Sequence, residues 1–119
     1  MIAEAIFDLL PNDWPKVIGD LPAARSNVIG IVEYDGATST EYFGPQASSS
    51  IISPIVKIII RAKSYEEGQT WANQTKNILH RYHDDTFLSI LMISAPFYLG
   101  RTPEKLHEFQ VTFNTQVKE

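Results

Sequence analysis

The chain has 119 residues, of which 44% are hydrophobic and 20% are charged, the composition of an ordinary soluble globular protein. Its formal net charge is −4, and the acidic excess lies in residues 1–60, which carry three basic and seven acidic residues. An acidic chain without a basic stripe is a poor candidate for binding nucleic acid, because neutralised phosphates supply most of that affinity. Cysteine is absent, which excludes disulfide bonds and thiolate chemistry.

This length predicts one domain, residues 1–119, with a modest hydrophobic core. The N-terminal residues lack the basic start of a secretory signal, and no apolar run approaches the roughly 20 residues that span a bilayer. We therefore expect a soluble protein of the cytoplasm with no membrane partner.

The first part of the chain predicts one helix and one or two strands. Apolar residues at helical spacing indicate a helix over residues 2–10, which a proline ends. Proline and glycine punctuate residues 11–22, and we interpret them as an irregular segment that reaches the core through a helical turn. Residues 27–34 predict the first strand. Residues 37–50 are polar apart from a Tyr-Phe pair and have room for a short second strand.

A strand that leads directly into an amphipathic helix is predicted over residues 51–83. Residues 55–60 are β-branched except for Lys57, which suits a buried strand. Ser64 and Glu67 have the spacing of a capping box at the start of a helix. Beyond the cap, residues at three- and four-residue steps share one helix face: Tyr65, Gly68, Trp71, Ala72, Thr75, Ile78, Leu79 and Tyr82. Basic residues, which the negative end of the helix dipole favours, follow towards its C-terminal end: Lys76, His80, Arg81 and His83.

Two further strands complete the predicted fold. Residues 87–94 form an apolar strand that Ala95 and Pro96 break, with residues 97–100 as a short extended continuation. Residues 107–117 alternate apolar and polar side chains, the pattern of a strand with one wet face. The order α-β-(β)-β-α-β-β predicts an α+β domain, in which a small mixed or antiparallel sheet packs with a long central helix and a short N-terminal helix.

The strongest candidates for chemistry are His80 and His83, three residues apart on the predicted helix and followed by Asp84 and Asp85. A histidine pair with a carboxylate can bind a metal ion, but the same residues also fit a cationic helix end followed by an acidic turn. Neither a Gly-x-Ser-x-Gly elbow nor a glycine-rich phosphate loop is present. The sequence therefore predicts no catalytic residue, no metal and no cofactor, and a protein that is not an enzyme.

Two aromatic pairs favour a protein interface: Tyr42 with Phe43 in a polar loop, and Phe97 with Tyr98 beside a strand break. The alternative is that the aromatic rings fold back over the edges of the sheet. We expect Arg61 and Lys63 to face solvent or a partner, since they alternate with buried positions. The candidate assembly residues are Tyr42, Phe43, Arg61, Lys63, Tyr98 and Arg101.

Five segments also resemble a known family: residues 27–33 (NVIGIVE), 58–65 (IIIRAKSY), 78–82 (ILHRY), 96–101 (PFYLGR) and 107–113 (HEFQVTF). They look like the small minor capsid or tail-completion proteins encoded in the head–tail connector gene clusters of long-tailed phages and prophages. The resemblance implies a tail-terminator-like α+β fold and a ring, commonly six-fold, on the head-proximal end of the tail tube. The implied partners are copies of itself, the tail-tube protein and a head-connector protein. The implied location is the bacterial cytoplasm before assembly and the head–tail junction of the virion afterwards.

Two hypotheses follow from the resemblance. The loop at 37–50, with Tyr42 and Phe43, would contact a neighbouring subunit or the tube, in a ring that forms on the tail tip. The acidic first half would line a lumen through which DNA passes, repelling its phosphates. Two other functions stay open: a small adaptor that binds a host protein, and a metal-binding enzyme that uses His80 and His83.

Overall fold

Residues 2–19, 21, 26–34, 51–52, 54–85, 87–103 and 105–118 are described by the computed structural model of the protein. They form an α+β fold, as the sequence predicts. In chain order the elements are α1 (Ile2–Leu9), β1 (Lys16–Ile18), β2 (Val28–Tyr34), β3 (Ile51–Ile52), β4 (Ile55–Ala62), α2 (Tyr65–Leu79), β5 (Phe87–Arg101) and β6 (His107–Lys118).

The described strands form one mixed sheet with five strand positions, in the order β1-β2-β4-β6-β5. β1 and β2 run parallel, and the other neighbours run antiparallel. β3 continues β4 along the same side of β6, because Ile52 lies opposite Val117 and Ile55 opposite Asn114 in one unbroken register. β1 and β5 are therefore the two edge strands.

Both helices cover the same face of the sheet. α1 and α2 contribute buried residues to one core: Ala3, Ile6, Gly68, Ala72, Thr75 and Leu79. Beneath them, every second residue of β4 and β6 is buried: Val56, Ile58, Ile60, Ala62, Phe109, Val111, Phe113, Thr115 and Val117. The alternation in β6 confirms the prediction that the last strand has one buried face and one face open to solvent. On the opposite face Leu21 packs on Gly30, where an added Cβ would lie 2.6 Å from Leu21 Cδ2.

α2 begins where the sequence predicts and ends earlier. Ser64 Oγ accepts a hydrogen bond from the backbone N–H of Glu67 at 3.1 Å, which confirms the N-cap. The helix ends at Leu79, so the prediction of a helix that continues to His83 is wrong.

The residues after α2 turn towards β5 instead of extending the helix. His80 has an extended backbone, and Arg81 takes a left-handed φ of 67°. Arg81 donates its N–H to the Ile90 carbonyl at 2.7 Å, and the Tyr82 carbonyl accepts from the Ile90 N–H at 3.1 Å. Pairing with a distant strand therefore outweighs the local preference of these residues for a helix.

Residues 11–22 combine a turn with a strand that the sequence did not predict. The N–H of Trp14 donates to the Pro11 carbonyl at 3.2 Å, which closes the turn, and β1 follows. The N–H of Ile29 donates to the Pro15 carbonyl at 2.8 Å, joining β2 to the start of β1. A strand of three residues is too short to show a period of two, so only the pairing with β2 reveals it.

β5 runs without a break from Phe87 to Arg101, so the predicted break at Ala95 and Pro96 is wrong. Its register against β6 shifts at four places, where β5 accommodates extra residues as bulges. Pro96 is tolerated because an edge strand has one side on which an N–H donor is not needed.

Candidate assembly surface

Exposed apolar side chains concentrate on the edge strand β5. Five of the seven large hydrophobic residues that are exposed in the described part of the chain belong to it. Every second residue from 91 to 99 is exposed and apolar: Leu91, Ile93, Ala95, Phe97 and Leu99. We refer to these five residues as the β5 stripe. The exposed fraction of its large side chains ranges from 42% at Phe97 to 56% at Ile93, and residues 87–100 carry no charge.

Part of the β5 stripe lies on the sheet face that the helices leave uncovered in the described part of the chain. Leu91 is paired with Asn114, and Phe97 with Gln110, both of which belong to the polar face of β6. The alternate residue Ile90 is buried in the core on the other face. On the face opposite the core, β5 therefore carries exposed apolar side chains together with Ser89 and Ser94, which are paired with Gln116 and Thr112.

An aromatic cluster lies at the far end of β5 and contains Tyr65, Tyr98, His107 and Phe109. The ring of Tyr65 is 5.1 Å from the rings of both Tyr98 and Phe109, measured between centroids. Tyr98 Oη and His107 Nδ1 are 2.8 Å apart, within hydrogen-bonding distance. Tyr98 nevertheless remains 38% exposed, so its ring packs over the sheet edge and still keeps solvent-exposed surface.

Arg61 and Lys63 differ in their surroundings. Arg61 Nε lies 3.1 Å from Glu108 Oε2, its direct neighbour across β4 and β6. The two side chains are only 13% and 25% exposed, so Arg61 is largely withdrawn from solvent. Lys63 is exposed, and its backbone N–H donates to Asn27 Oδ1 at 3.0 Å.

The described candidates lie at one end of the sheet. Arg101 is exposed at the end of β5, paired with His107, close along the strand to Tyr98. Arg61 and Lys63 lie beside the same first residues of β6, so all four surround one corner. The other two candidates, Tyr42 and Phe43, lie outside the described residues, together with the predicted short strand in 37–50 and the turn before it.

The fold uses one of the two histidines. His80 Nδ1 accepts a hydrogen bond from the backbone N–H of Met92 at 3.0 Å, which occupies that ring nitrogen, and His83 is exposed. Asp84 Oδ2 accepts from Tyr82 Oη at 2.8 Å, and this hydrogen bond raises the pKa of Tyr82 above its ordinary value. Among the described residues, no three His, Cys, Asp or Glu side chains are placed to hold a metal ion together.

A surface groove of about 450 Å³ lies between the loop after α1 and the outer side of α2. Its lining residues are Pro11, Asp13, Trp14, Gln74, Asn77 and Ile78. This lining offers one carboxylate and two carboxamides, without a serine, cysteine or histidine beside them.

Of the five stripe residues, the sequence singles out only Phe97, as an aromatic residue beside a strand break. The signal that could have identified the others is the lack of charge and of polar alternation over residues 87–100. A strand in a fold of two layers is covered by helices on only one face, so apolar side chains on its other face stay exposed.

Comparison with known proteins agrees with this fold. In the described part of the chain, neither helix is long and apolar enough to cross a membrane. Curated proteins give no match to the sequence. Residues 4–119 match the family described as bacteriophage tail terminator protein, a range that includes nearly the whole of α1 and every later element. The chain therefore belongs to the bacteriophage tail terminator family and is a structural component of the phage tail.

Proposed function

We propose that the protein caps the head-proximal end of the tail tube and joins the finished tail to the head. Bound there, it blocks the addition of further tube subunits and leaves a surface for a head-connector protein. The observation that carries this proposal is the family match over residues 4–119, because the family's description, tail terminator protein, refers to proteins that end a tail. The role needs neither a substrate nor a cofactor, so the protein is not an enzyme.

In this proposal the protein acts as a ring of several copies, with six as the expected number. A ring forms when head-to-tail contacts close on rotation, and such contacts use two different surfaces of each subunit. The β5 stripe supports assembly, because exposed apolar patches of this kind mark protein contacts. The partners are copies of the chain itself, the tail-tube protein and a head-connector protein.

The acidic first half of the chain faces the DNA passage in the proposed ring. Glu4, Asp8 and Asp13 are exposed along α1 and the loop after it. The nearby Lys16 donates its ammonium group to two carbonyls at the end of α1, at 2.8 and 3.0 Å. It therefore caps the helix, and the acidic side chains keep a negative surface that repels phosphates.

Immunogold electron microscopy tests where the protein acts. Antibodies raised against the purified chain are applied to particles of the phage or prophage that carries the gene, and to free tails from the same lysate. We expect label at the head–tail junction and at one end of each free tail. Particles of a gene-deletion strain provide the control for antibody specificity. Label along the tube, at the distal tip or on the capsid would contradict the proposal.

A further inference from the structure

The two edges of the sheet carry nearly all the large apolar side chains that stay exposed. The β5 stripe lies on one edge strand, and Ile18, 46% exposed, lies on the other, β1. In the described part of the chain, the remaining exposed large hydrophobic residues are Tyr98 of β5 and Tyr65, which pack against each other. Each copy therefore presents apolar surface at opposite edges, which is the arrangement that a head-to-tail contact between copies needs.

The main chain of β5 is poorly suited to pair with another strand. Four bulges interrupt its register with β6, and Pro96 has no N–H to donate. At the start of β5, the turn after α2 already binds the N–H and the carbonyl of Ile90 and the N–H of Met92. These features protect an edge against strand addition. A contact on this edge is therefore made by side chains, through the β5 stripe.

The chemistry of this surface fits a contact between copies, and its size makes it the central part of one. The β5 stripe is roughly 30 Å long, and two neighbouring strands are about 10 Å wide. A standard interface buries about 800 Å² on each partner and is more than half apolar. The stripe supplies the apolar part, and the wet face of β6 supplies a polar row: Gln110, Thr112, Asn114 and Gln116.

The absence of charge on the stripe indicates which kind of protein binds it. Charged groups give an interface its specificity for a different partner and increase its association rate. Contacts between identical subunits are the more apolar class, with few charges at their centre. A second copy of the chain, with Ile18 exposed at its opposite edge, therefore fits the stripe better than a charged partner does.

We propose that the β5 stripe of one copy packs through its side chains against the β1 edge of the next copy, around Ile18. The inference rests on the proposed function, which brings several copies together at one tail end.

Photo-cross-linking in assembled particles tests this contact. A variant chain with Phe97→p-benzoylphenylalanine is expressed in trans to complement a phage from which the gene is deleted. Purified particles that contain this variant are then irradiated. The expected product is a band at about twice the 13.4 kDa of the chain. After trypsin, the cross-link is expected on the peptide of residues 17–25 of the second copy, which contains Ile18.

The matched control is Asn73→p-benzoylphenylalanine, at an exposed position on α2 away from both sheet edges, which is expected to give no such band. A cross-link from position 97 to β5 of another copy, to a different tail protein, or to nothing would overturn the inference. In those cases the protein is still present in particles, so the proposed function survives. Absence of the protein from particles would instead overturn the proposed function, and the inference with it.

A substitution on the opposite edge tests the same contact from the other side. We expect Ile18→Glu to lower the cross-linked fraction from position 97 roughly tenfold or more, because an unpaired charge would be buried at the contact. Ile18→Val keeps an apolar side chain and should preserve the cross-link. Since Ile18 is exposed, both variants should unfold at the same temperature as the parent chain. An undiminished cross-link in Ile18→Glu would overturn the proposed contact.

Discussion

Gly68 sets the distance between the helical layer and the sheet. A Cβ at this position would lie 2.5 Å from Cε1 and 2.8 Å from Cδ1 of the Phe109 ring, which is only 3% exposed. Replacing glycine with alanine in an exposed helix stabilises it by about 1 kcal/mol, whereas overpacking a filled core costs about 1–3 kcal/mol. We expect the collision to outweigh the helix propensity, so Gly68→Ala should lower the free energy of unfolding in urea by about 1 kcal/mol.

The control for this prediction is Gln69→Ala, at the next residue of α2, which is exposed. We expect it to change the free energy of unfolding by no more than about 0.5 kcal/mol. A Gly68→Ala variant that is more stable than the parent would show that α2 can move away from Phe109 without cost, contrary to the packing described above.

At the scale of elements, the ion pair between Arg61 and Glu108 holds β4 and β6 in register. The pair is partly withdrawn from water, so it should contribute more than a fully exposed surface pair. A double-mutant cycle with Arg61→Met and Glu108→Gln should give a coupling energy of about 0.5–1 kcal/mol. Urea unfolding of the four proteins measures it, and the coupling should decrease with added salt. A coupling energy of zero would mean that the register is set by the apolar pairs alone.

Elements with a continuous local signal could be predicted from the sequence, and their limits often could not. The cap at Ser64 and the alternation in β6 are local patterns, and both are confirmed. The end of α2 depends on hydrogen bonds between Arg81 and Ile90, partners that meet only in the folded sheet. The continuity of β5 through Pro96 depends on its position at an edge, which is a property of the whole sheet and not of the local sequence.

The candidate assembly residues also separate into those with a local sequence signal and those without one. Phe97 and Tyr98 could be singled out because an aromatic pair beside a proline has a recognisable local pattern, and the fold leaves both residues exposed. The partner of Arg61 is 47 residues away along the chain, so its pairing with Glu108 has no local signature. The exposure of Leu91 and Ile93 has no local signature, because the sequence of an apolar strand does not indicate which of its faces the helices will cover.

At the scale of the whole molecule, the negative surface of α1 should matter for DNA passage and not for folding. Neutralising it with Glu4→Gln, Asp8→Asn and Asp13→Asn together removes three exposed negative charges. We expect tails of normal length and heads that join them, but a smaller fraction of particles that eject their DNA, because the phosphates would be retained in the passage. Ejection triggered in vitro and followed with a DNA-binding dye measures that fraction.

The control for this prediction changes the net charge equally at another place. Gln69→Lys, Thr70→Lys and Asn73→Lys add three positive charges on the exposed side of α2. This variant should eject its DNA as the parent does. Equal defects in the two variants would show that net charge matters and that the position of α1 does not.

The central claim is that the protein ends the tail tube, and deletion of its gene tests this most directly. The phage or prophage that carries the gene is induced without it, and the lysate is examined by negative-stain electron microscopy, with tail lengths measured against those of the complemented strain. The account predicts full heads beside detached tails that exceed the normal length. Detached tails of normal length would leave a role in joining and contradict the role in termination. Normal, infectious particles would contradict both.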